Sequence, residues 1–280
     1  PVLFKKSEFN CDNYINIFNL KNIKVPYIKN KNFYFYDKIS GYLFIAFHKI
    51  KFYAQLVNSN VIKSRSHQHT EIGNFIIYYN DELIFNNLGR KNYNSDSLKA
   101  IGSASKNSYE INNLEPLLCH KLNAIPSIMH EDYFQDSPNY TIKKNDKEIT
   151  ISSKFMGYKR FLFQSVVNRK FIISKNQIDI FDNIVSKNLV HFNSYFHTNL
   201  KIKLKNKLIN FKKENKNICY FKIEDKNINL IINKNIAYNK YSVPSFANTI
   251  KVSKNLKLND NISEISKIAL MFYEHGILIY

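Results

Sequence analysis

The segment of this chain with the clearest chemical potential runs from residue 66 to residue 78 and reads SHQHTEIGNFIIY. If it is extended, residues two apart point to the same side, so His67, His69 and Glu71 share one face. Two imidazoles and a carboxylate on one face suit metal binding or proton transfer. An isolated H-x-H pair is, however, more often surface or hydrogen-bonded core histidine, so both interpretations stay open at this point.

The elements that would position this segment are mainly strands. Residues 200–205, LKIKLK, alternate apolar and basic side chains, which is the period-two pattern of a half-buried strand. Residues 141–151 are predicted to form a hairpin with Asn145 and Asp146 at its tip, since both tolerate the positive φ of a tight turn. Further strands are predicted at 33–36, 42–47, 51–57, 74–79, 82–86, 107–111, 160–166, 169–174, 177–182, 189–196, 219–223, 228–232, 247–252, 266–272 and 276–280.

The spacing of these strands decides the predicted fold class. Many short strands with turn residues every ~8–12 positions predict an all-β protein, a large antiparallel β-sandwich. Glycine is scarce, with 6 residues, so asparagine is expected at turn positions. One short helix is predicted near the start, at 8–20. Residues 113–138 are predicted to form a long surface loop, and the Lys- and Asn-rich residues 205–217 a solvated loop.

The composition is that of a globular protein with a strong positive charge. Of 280 residues, 44% are hydrophobic and 15% aromatic, and Lys+Arg 41 against Asp+Glu 22 gives +19. Such a charge predicts attraction to nucleic acid, anionic lipid or an acidic polysaccharide. The codon usage of an AT-rich genome would produce the same charge without a function, so this alternative stays open. No helix-turn-helix, zinc finger or RNP-like motif is present, and no nucleic-acid partner is predicted.

The cysteines, the apolar runs and the first residue bear on disulfides, membrane insertion and targeting. Cys11, Cys119 and Cys219 are far apart and odd in number, which indicates neither a thiolate metal site nor a disulfide framework. No apolar run approaches the ~20 residues of a membrane-spanning helix. The first residue is Pro1 and not Met, so we expect the chain to be cut from a longer protein whose targeting it does not reveal.

Six further segments stand in a fixed order around residues 66–78. They are DKISGY at 37–42, LIFNNLG at 83–89 with Tyr93 after it, GSASKNSY at 102–109, Gly157 with Tyr158, Asn168 with Arg169, and IDIFD at 178–182. In order and spacing over roughly residues 33–200, these motifs together resemble the C-terminal domain of heparinase II/III-like polysaccharide lyases. Residues 66–78 resemble the H-x-H-x-D segment of that family and the strand that follows it.

This resemblance implies an architecture and a reaction. In such lyases an α/α toroid precedes a β-sandwich, and the active site lies between them. Residues 1–30 would be a remnant or linker of the missing toroid, and 31–280 the β-sandwich domain. The enzymes cleave acidic polysaccharides by β-elimination, in which a base takes the proton beside a uronate carboxylate. The resemblance favours a bacterial periplasm or cell envelope, and predicts that this chain alone is inactive.

The resemblance also assigns roles to individual residues. His67 matches the active-site histidine of the sandwich, and Tyr93 is the candidate for the tyrosine that shuttles protons. His69 matches a metal-ligand histidine. Asn87 stands where other members have a metal-ligand aspartate, and Lys106 where they have a metal-ligand histidine. Two of the three ligands are therefore changed, and we expect the zinc site to be lost and no cofactor to be bound.

The altered residues suggest a substitute for the metal. We expect the Lys106 ammonium to occupy the place of the ion, held by Glu71 or Asn87 beside His69, and to face the substrate carboxylate. His69, Glu71, Asn87 and Asn107 are assigned to substrate binding, and Lys106 joins His67 and Tyr93 as a catalytic candidate. The resemblance also shows departures, because Glu71 replaces aspartate and Ile101 replaces arginine. The alternative is a non-catalytic carbohydrate-binding or scaffold β-sandwich module.

Overall fold

The chain is built of antiparallel strands, in agreement with the predicted all-β class. No helix in the described part of the chain is long and apolar enough to cross a membrane. The predicted helix at 8–20, the segment 1–30 and most of the predicted loop at 113–138 lie outside the described residues. The computed structural model describes residues 32–38, 41–56, 72–89, 102–116, 138–160, 162, 164–225, 227–240, 243–256, 263–274 and 277–278.

The strands form three sheets. The five-stranded sheet runs in chain order through β1 (Phe33–Tyr36), β2 (Tyr42–Phe47), β3 (Ile50–Gln55), β4 (Ile76–Tyr79) and β5 (Glu82–Phe85). The four-stranded sheet has the order β15 (Asn229–Lys240), β16 (Val243–Leu256), β11 (Val190–Thr198) and β6 (Tyr109–Ile111). The nine-stranded sheet has the order β12 (Lys201–Lys205), β13 (Leu208–Lys213), β14 (Lys216–Ile223), β17 (Ser263–Glu274), β10 (Gln177–Val185), β9 (Val166–Ser174), β8 (Glu148–Phe155) and β7 (Asn139–Lys144), with β18 (Ile277–Leu278) paired to β17.

One main hydrophobic core draws residues from all three sheets, so the nine-stranded sheet faces the other two. Phe75, just before β4, marks the junction. Its ring centroid lies 5.1 Å from that of Phe171 in β9 and 6.1 Å from that of Phe196 in β11. Each fully buried phenylalanine contributes about 1.5–3 kcal/mol, so this contact ties the three sheets together.

The strands of the nine-stranded sheet follow the period-two pattern that identifies them. In β10 the side chains of Ile178, Ile180, Asp182 and Ile184 are buried and alternate with half-buried ones. Three of the four are apolar and join the hydrophobic core clusters. A carboxylate in the fourth inward position requires a buried partner, because a buried unpaired charge is strongly destabilising.

The predicted loop at 205–217 is wrong, because β13 lies within it, β12 ends at its first residue and β14 begins before its end. Ile209 and Phe211 are fully buried, and their alternation with polar residues is that of a strand. Asn206 and Lys207 adopt positive φ at the turn that starts it, with values of 48° and 61°. Lysine and asparagine dominate this segment, so the sequence pattern did not reveal that Ile209 and Phe211 point into the core. These two buried side chains hold the strand in the sheet.

Two further local predictions are corrected. The hairpin of β7 and β8 forms, but neither Asn145 nor Asp146 has a positive φ. Instead, the Asn145 side-chain oxygen accepts hydrogen bonds from the Lys147 and Glu148 amides, both at 2.8 Å. The predicted strand at 160–166 is also wrong. The chain forms a 3-10 turn at Gly157–Arg160, and β9 begins only at its last residue.

Candidate functional site

The loops that carry the matched motifs meet around one fully buried side chain, that of Asn107. Its two side-chain N–H groups donate to the Phe75 carbonyl at 2.7 Å and the Asn86 carbonyl at 3.1 Å. Its side-chain oxygen accepts from the His197 backbone N–H at 2.7 Å. One amide therefore joins the loop before β4, the loop after β5 and strand β11. Both amide donors of Asn107 are used inside the protein, and its role in substrate binding stays a prediction.

The backbone of Asn107 strengthens the same junction. Its N–H donates to the side-chain oxygens of Asn74, at 3.1 Å, and Asn87, at 3.3 Å. The Leu88 N–H donates to the Ser105 carbonyl at 3.0 Å. Lys106 therefore lies in a loop held on both sides against the segment that contains Asn87.

Lys106 is itself buried, with 4% of its surface exposed, and follows a 3-10 turn at Ser103–Ser105. Its backbone N–H donates to the Ser103 carbonyl at 3.0 Å. Its carbonyl accepts from the imidazole Nε2–H of His197 at 3.1 Å. A lysine in this position is a cation held by protein on most sides, where its charge acts through a low dielectric.

His197 is the neutral anchor of that loop. Because Nε2 donates to a carbonyl, Nδ1 accepts from the Thr249 hydroxyl at 2.8 Å. The pKa of His197 is lowered to about 3, mainly by burial, while backbone hydrogen bonds act to raise it and the nearby Lys106 charge adds to the lowering. The imidazole therefore stays uncharged at neutral pH. The sequence carried no signal for this role, because nothing near His197 shows metal-ligand or catalytic spacing.

Beneath the loop lies a fully buried ion pair between Arg169 of β9 and Asp182 of β10, which face each other in the sheet register. Arg169 Nε donates to one carboxylate oxygen at 2.6 Å and Nη2 to the other at 2.7 Å. The remaining guanidinium donors reach the Gly73 and Asn107 carbonyls and the Ser194 hydroxyl, at 2.9, 3.2 and 2.6 Å. All five donors are satisfied, which is the condition for burying an arginine.

Gly73 fits between this ion pair and the ring of Tyr109. Its φ is +72°, a left-handed conformation that glycine adopts without strain. A Cβ at this position would lie 2.6 Å from Tyr109 Cε1 and 3.5 Å from Arg169 Cδ. The ring of Tyr109 in turn lies 5.0 Å from the guanidinium carbon. The sequence after the H-x-H segment therefore needs glycine here.

The other predicted site residues are not placed by the structure. His67, His69, Glu71 and Tyr93 lie outside the described residues, so their proposed roles stay predictions. Tyr158, from the matching motif at 157–158, is fully buried and donates its hydroxyl to the Leu114 carbonyl at 2.8 Å. Within the described ranges no three His, Cys, Asp or Glu side chains are grouped as a metal site would require.

No family sequence model and no curated protein sequence matches this chain. Solved structures do. The heparan sulfate lyase HepC from Pedobacter heparinus matches with a TM-score of 0.71 at 8% identity, over 95% of this chain and 41% of its own. A heparinase III matches with a TM-score of 0.67 at 11% identity, over 92% of this chain and 38% of its own.

The chain has a fold found in heparan sulfate lyases. It spans about two-fifths of the length of those lyase chains. A 4-α-glucanotransferase from Thermococcus litoralis also matches, with a TM-score of 0.50 at 7% identity, over 89% of this chain and 40% of its own. Because one sandwich occurs in enzymes of different reactions, the fold alone does not define the chemistry.

Proposed function

We propose that the chain is the β-sandwich domain of a polysaccharide lyase-like protein that acts on an acidic polysaccharide by β-elimination. The likeness of 95% of the chain to HepC carries this proposal. The convergence of the motifs supports it. The motifs that resemble the family include segments 83–89 and 102–109, Arg169 and Asp182. These parts of the chain meet around Asn107.

In the proposed reaction the chain supplies electrostatic stabilisation. When a base removes the proton beside the uronate carboxylate, negative charge accumulates on that carboxylate, and the glycosidic oxygen leaves from the neighbouring carbon. A fixed cation stabilises this charge more in the transition state than in the ground state. We assign that cation to Lys106. Opposite unit charges ~4 Å apart attract by about 4 kcal/mol at an effective dielectric near 20.

The remaining assignments complete the proposed site. His67 and Tyr93 are proposed to shuttle protons, and His69, Glu71 and Asn87 to contact the substrate. Asn107 and His197 position Lys106 through its loop and its carbonyl.

Asn87 and Lys106 stand where the resembled family has metal ligands, and these two residues do not fit a zinc ion. Zinc needs neutral imidazoles and anionic groups, but the loop offers the neutral amide of Asn87 and the cation of Lys106. A divalent ion ~4 Å from an ammonium is repelled by about 8 kcal/mol at a dielectric near 20. We therefore propose that the protein binds no tight zinc, and no step is assigned to a metal. Stoichiometric zinc that survives dialysis of the purified protein would contradict this.

The test of the function compares the chain with a longer protein that includes its upstream sequence. Lyase products carry an unsaturated uronate, so turnover of uronate polymers is followed by ultraviolet absorbance. We expect turnover by the longer protein and none by the 280-residue chain. Lys106→Met should lower kcat about 100-fold or more, as loss of one transition-state donor does. Lys106→Arg should restore part of it, and Lys143→Met, at an exposed position of β7, serves as the matched control.

Steady turnover by the chain alone would contradict only the expectation that it is inactive by itself. Two results would overturn the proposal: full activity of Lys106→Met, or no activity of the longer protein on any uronate polymer. The last result, combined with retained polymer binding, would favour the non-catalytic carbohydrate-binding module.

A further inference from the structure

The outer face of the nine-stranded sheet carries a group of lysines at its β12 edge. Lys201, Lys203 and Lys205 alternate along β12, and all three are exposed. Lys212 of β13 lies directly opposite Lys201. Lys222 of β14 lies opposite Leu208, which in turn faces Lys205. These five lysines are called the lysine face below.

The register places the lysine face on the side of the sheet away from the core. In β13 the residues that alternate with the outward ones are Ile209 and Phe211, both fully buried in the main core. Directly paired residues of an antiparallel ladder share a face, so the lysines opposite and diagonal to one another project together.

Little in the surrounding structure neutralises this charge. Lys201, Lys203, Lys205 and Lys212 form no ion pair with another described residue. Among the described residues, Lys222 has Glu224 as its one ionic partner. One carboxylate oxygen of Glu224 lies 3.8 Å from the Lys222 nitrogen, and the other lies 3.2 Å from the Lys267 nitrogen. Lys201 and Lys212 are directly paired, and like charges at paired positions destabilise a sheet. An anion bound between them would remove that repulsion.

Beside the lysines the same face offers polar and aromatic groups. Lys203 pairs with Asn210, which pairs with Tyr220. The rings of Tyr220 and Tyr273 are 6.0 Å apart, and the Tyr273 hydroxyl donates to the Asn210 side-chain oxygen at 3.4 Å. Tyr220 is buried, with 5% of its surface exposed, whereas Tyr273 is half-buried and presents part of an apolar ring and a hydroxyl, which suits a ring-shaped polar ligand such as a sugar.

We infer that the lysine face binds a linear acidic polysaccharide, laid across strands β12, β13 and β14. Lysines two apart on one strand stand ~7 Å from each other, and neighbouring strands are ~4.8 Å apart, so the charges form a two-dimensional array. The surface is separate from the loop of Lys106, which lies where the other two sheets meet. The choice of a polysaccharide among polyanions rests on the proposed function, whereas the charge array does not.

The experiment measures the affinity of the 280-residue chain for alginate and for dextran sulfate, with uncharged dextran as the neutral polymer. The variant Lys201→Gln/Lys203→Gln/Lys205→Gln removes three charges from the lysine face. The matched control Lys143→Gln/Lys144→Gln/Lys147→Gln removes three exposed charges from the hairpin of β7 and β8. Three exposed contacts together are expected to change affinity about tenfold.

We expect the lysine-face variant to lose about tenfold and the control less than twofold. The corresponding triple substitution to arginine should retain affinity. Equal losses in both glutamine variants would show a general charge effect and overturn the inference. So would unchanged binding, equal binding of dextran, or tighter binding of a single-stranded oligonucleotide than of either acidic polymer. The affinity measurement does not depend on turnover. A failed lyase assay would therefore contradict the proposed function without changing the outcome of this binding test.

Discussion

The buried ion pair of Arg169 and Asp182 permits the sharpest test of how the site is held. The perturbation is a pair of substitutions, Arg169→Met and Asp182→Leu, made singly and together. Both side chains are fully buried, so a charge whose partner is removed is left without compensation. Each single variant therefore leaves one uncompensated buried charge.

The magnitudes follow from the bonds that are lost. Removing one partner of a buried pair costs about 3–5 kcal/mol. Arg169→Met also leaves the Gly73 and Asn107 carbonyls without their donor, which adds about 1–3 kcal/mol each. The double variant contains no buried charge and keeps only this second cost. We therefore expect adding Asp182→Leu to Arg169→Met to raise the free energy of unfolding by about 3 kcal/mol.

The assay is urea unfolding of all four proteins, analysed as a double-mutant cycle. The chain has 19 tyrosines and no tryptophan, so tyrosine fluorescence and circular dichroism report unfolding. The control is the exposed pair of Lys213 and Glu82, 2.6 Å apart, whose coupling should stay below about 1 kcal/mol. If the two single effects add, so that the double variant is less stable than Arg169→Met by the full effect of Asp182→Leu, the reasoning is refuted.

Two further predictions concern the same cluster. The pKa of His197 is lowered, mainly by burial, from its ordinary value of 6.5 to about 3. Between these two values His197 is protonated in the unfolded chain and neutral in the folded protein. The free energy of unfolding should therefore fall as pH drops from 6.5 towards 3, by up to about 1.4 kcal/mol per pH unit from this group. Unfolding at pH 7.5 and 5.5 should show a smaller difference in His197→Gln, and an identical difference would contradict the burial argument. Gly73→Ala should destabilise the fold by about 2–4 kcal/mol, from the left-handed φ and the contact with Tyr109. The same substitution in a Tyr109→Leu background should cost less, and an equal cost would place the strain in the backbone alone.

Local alternation was enough to locate many of the strands. The predicted strands at 33–36 and 42–47 have the bounds of β1 and β2. In the first part of β2, buried Leu43 and Ile45 alternate with exposed Tyr42 and half-buried Phe44. The same logic failed at 205–217. There Ile209 and Phe211 were too few inward residues to outweigh the lysines and asparagines around them, and only pairing with β12 and β14 made the strand.

By itself, the sequence determined the all-β class, most strand positions and the motifs that suggested a lyase-like site. Each depends on neighbours within a few residues, where periodicity is readable. The tertiary structure alone decided what those motifs touch. Asn107 meets Phe75, Asn86 and His197, which are 32, 21 and 90 residues away. Such contacts depend on how three sheets pack, and packing is set by the sum of many buried side chains rather than by any local pattern.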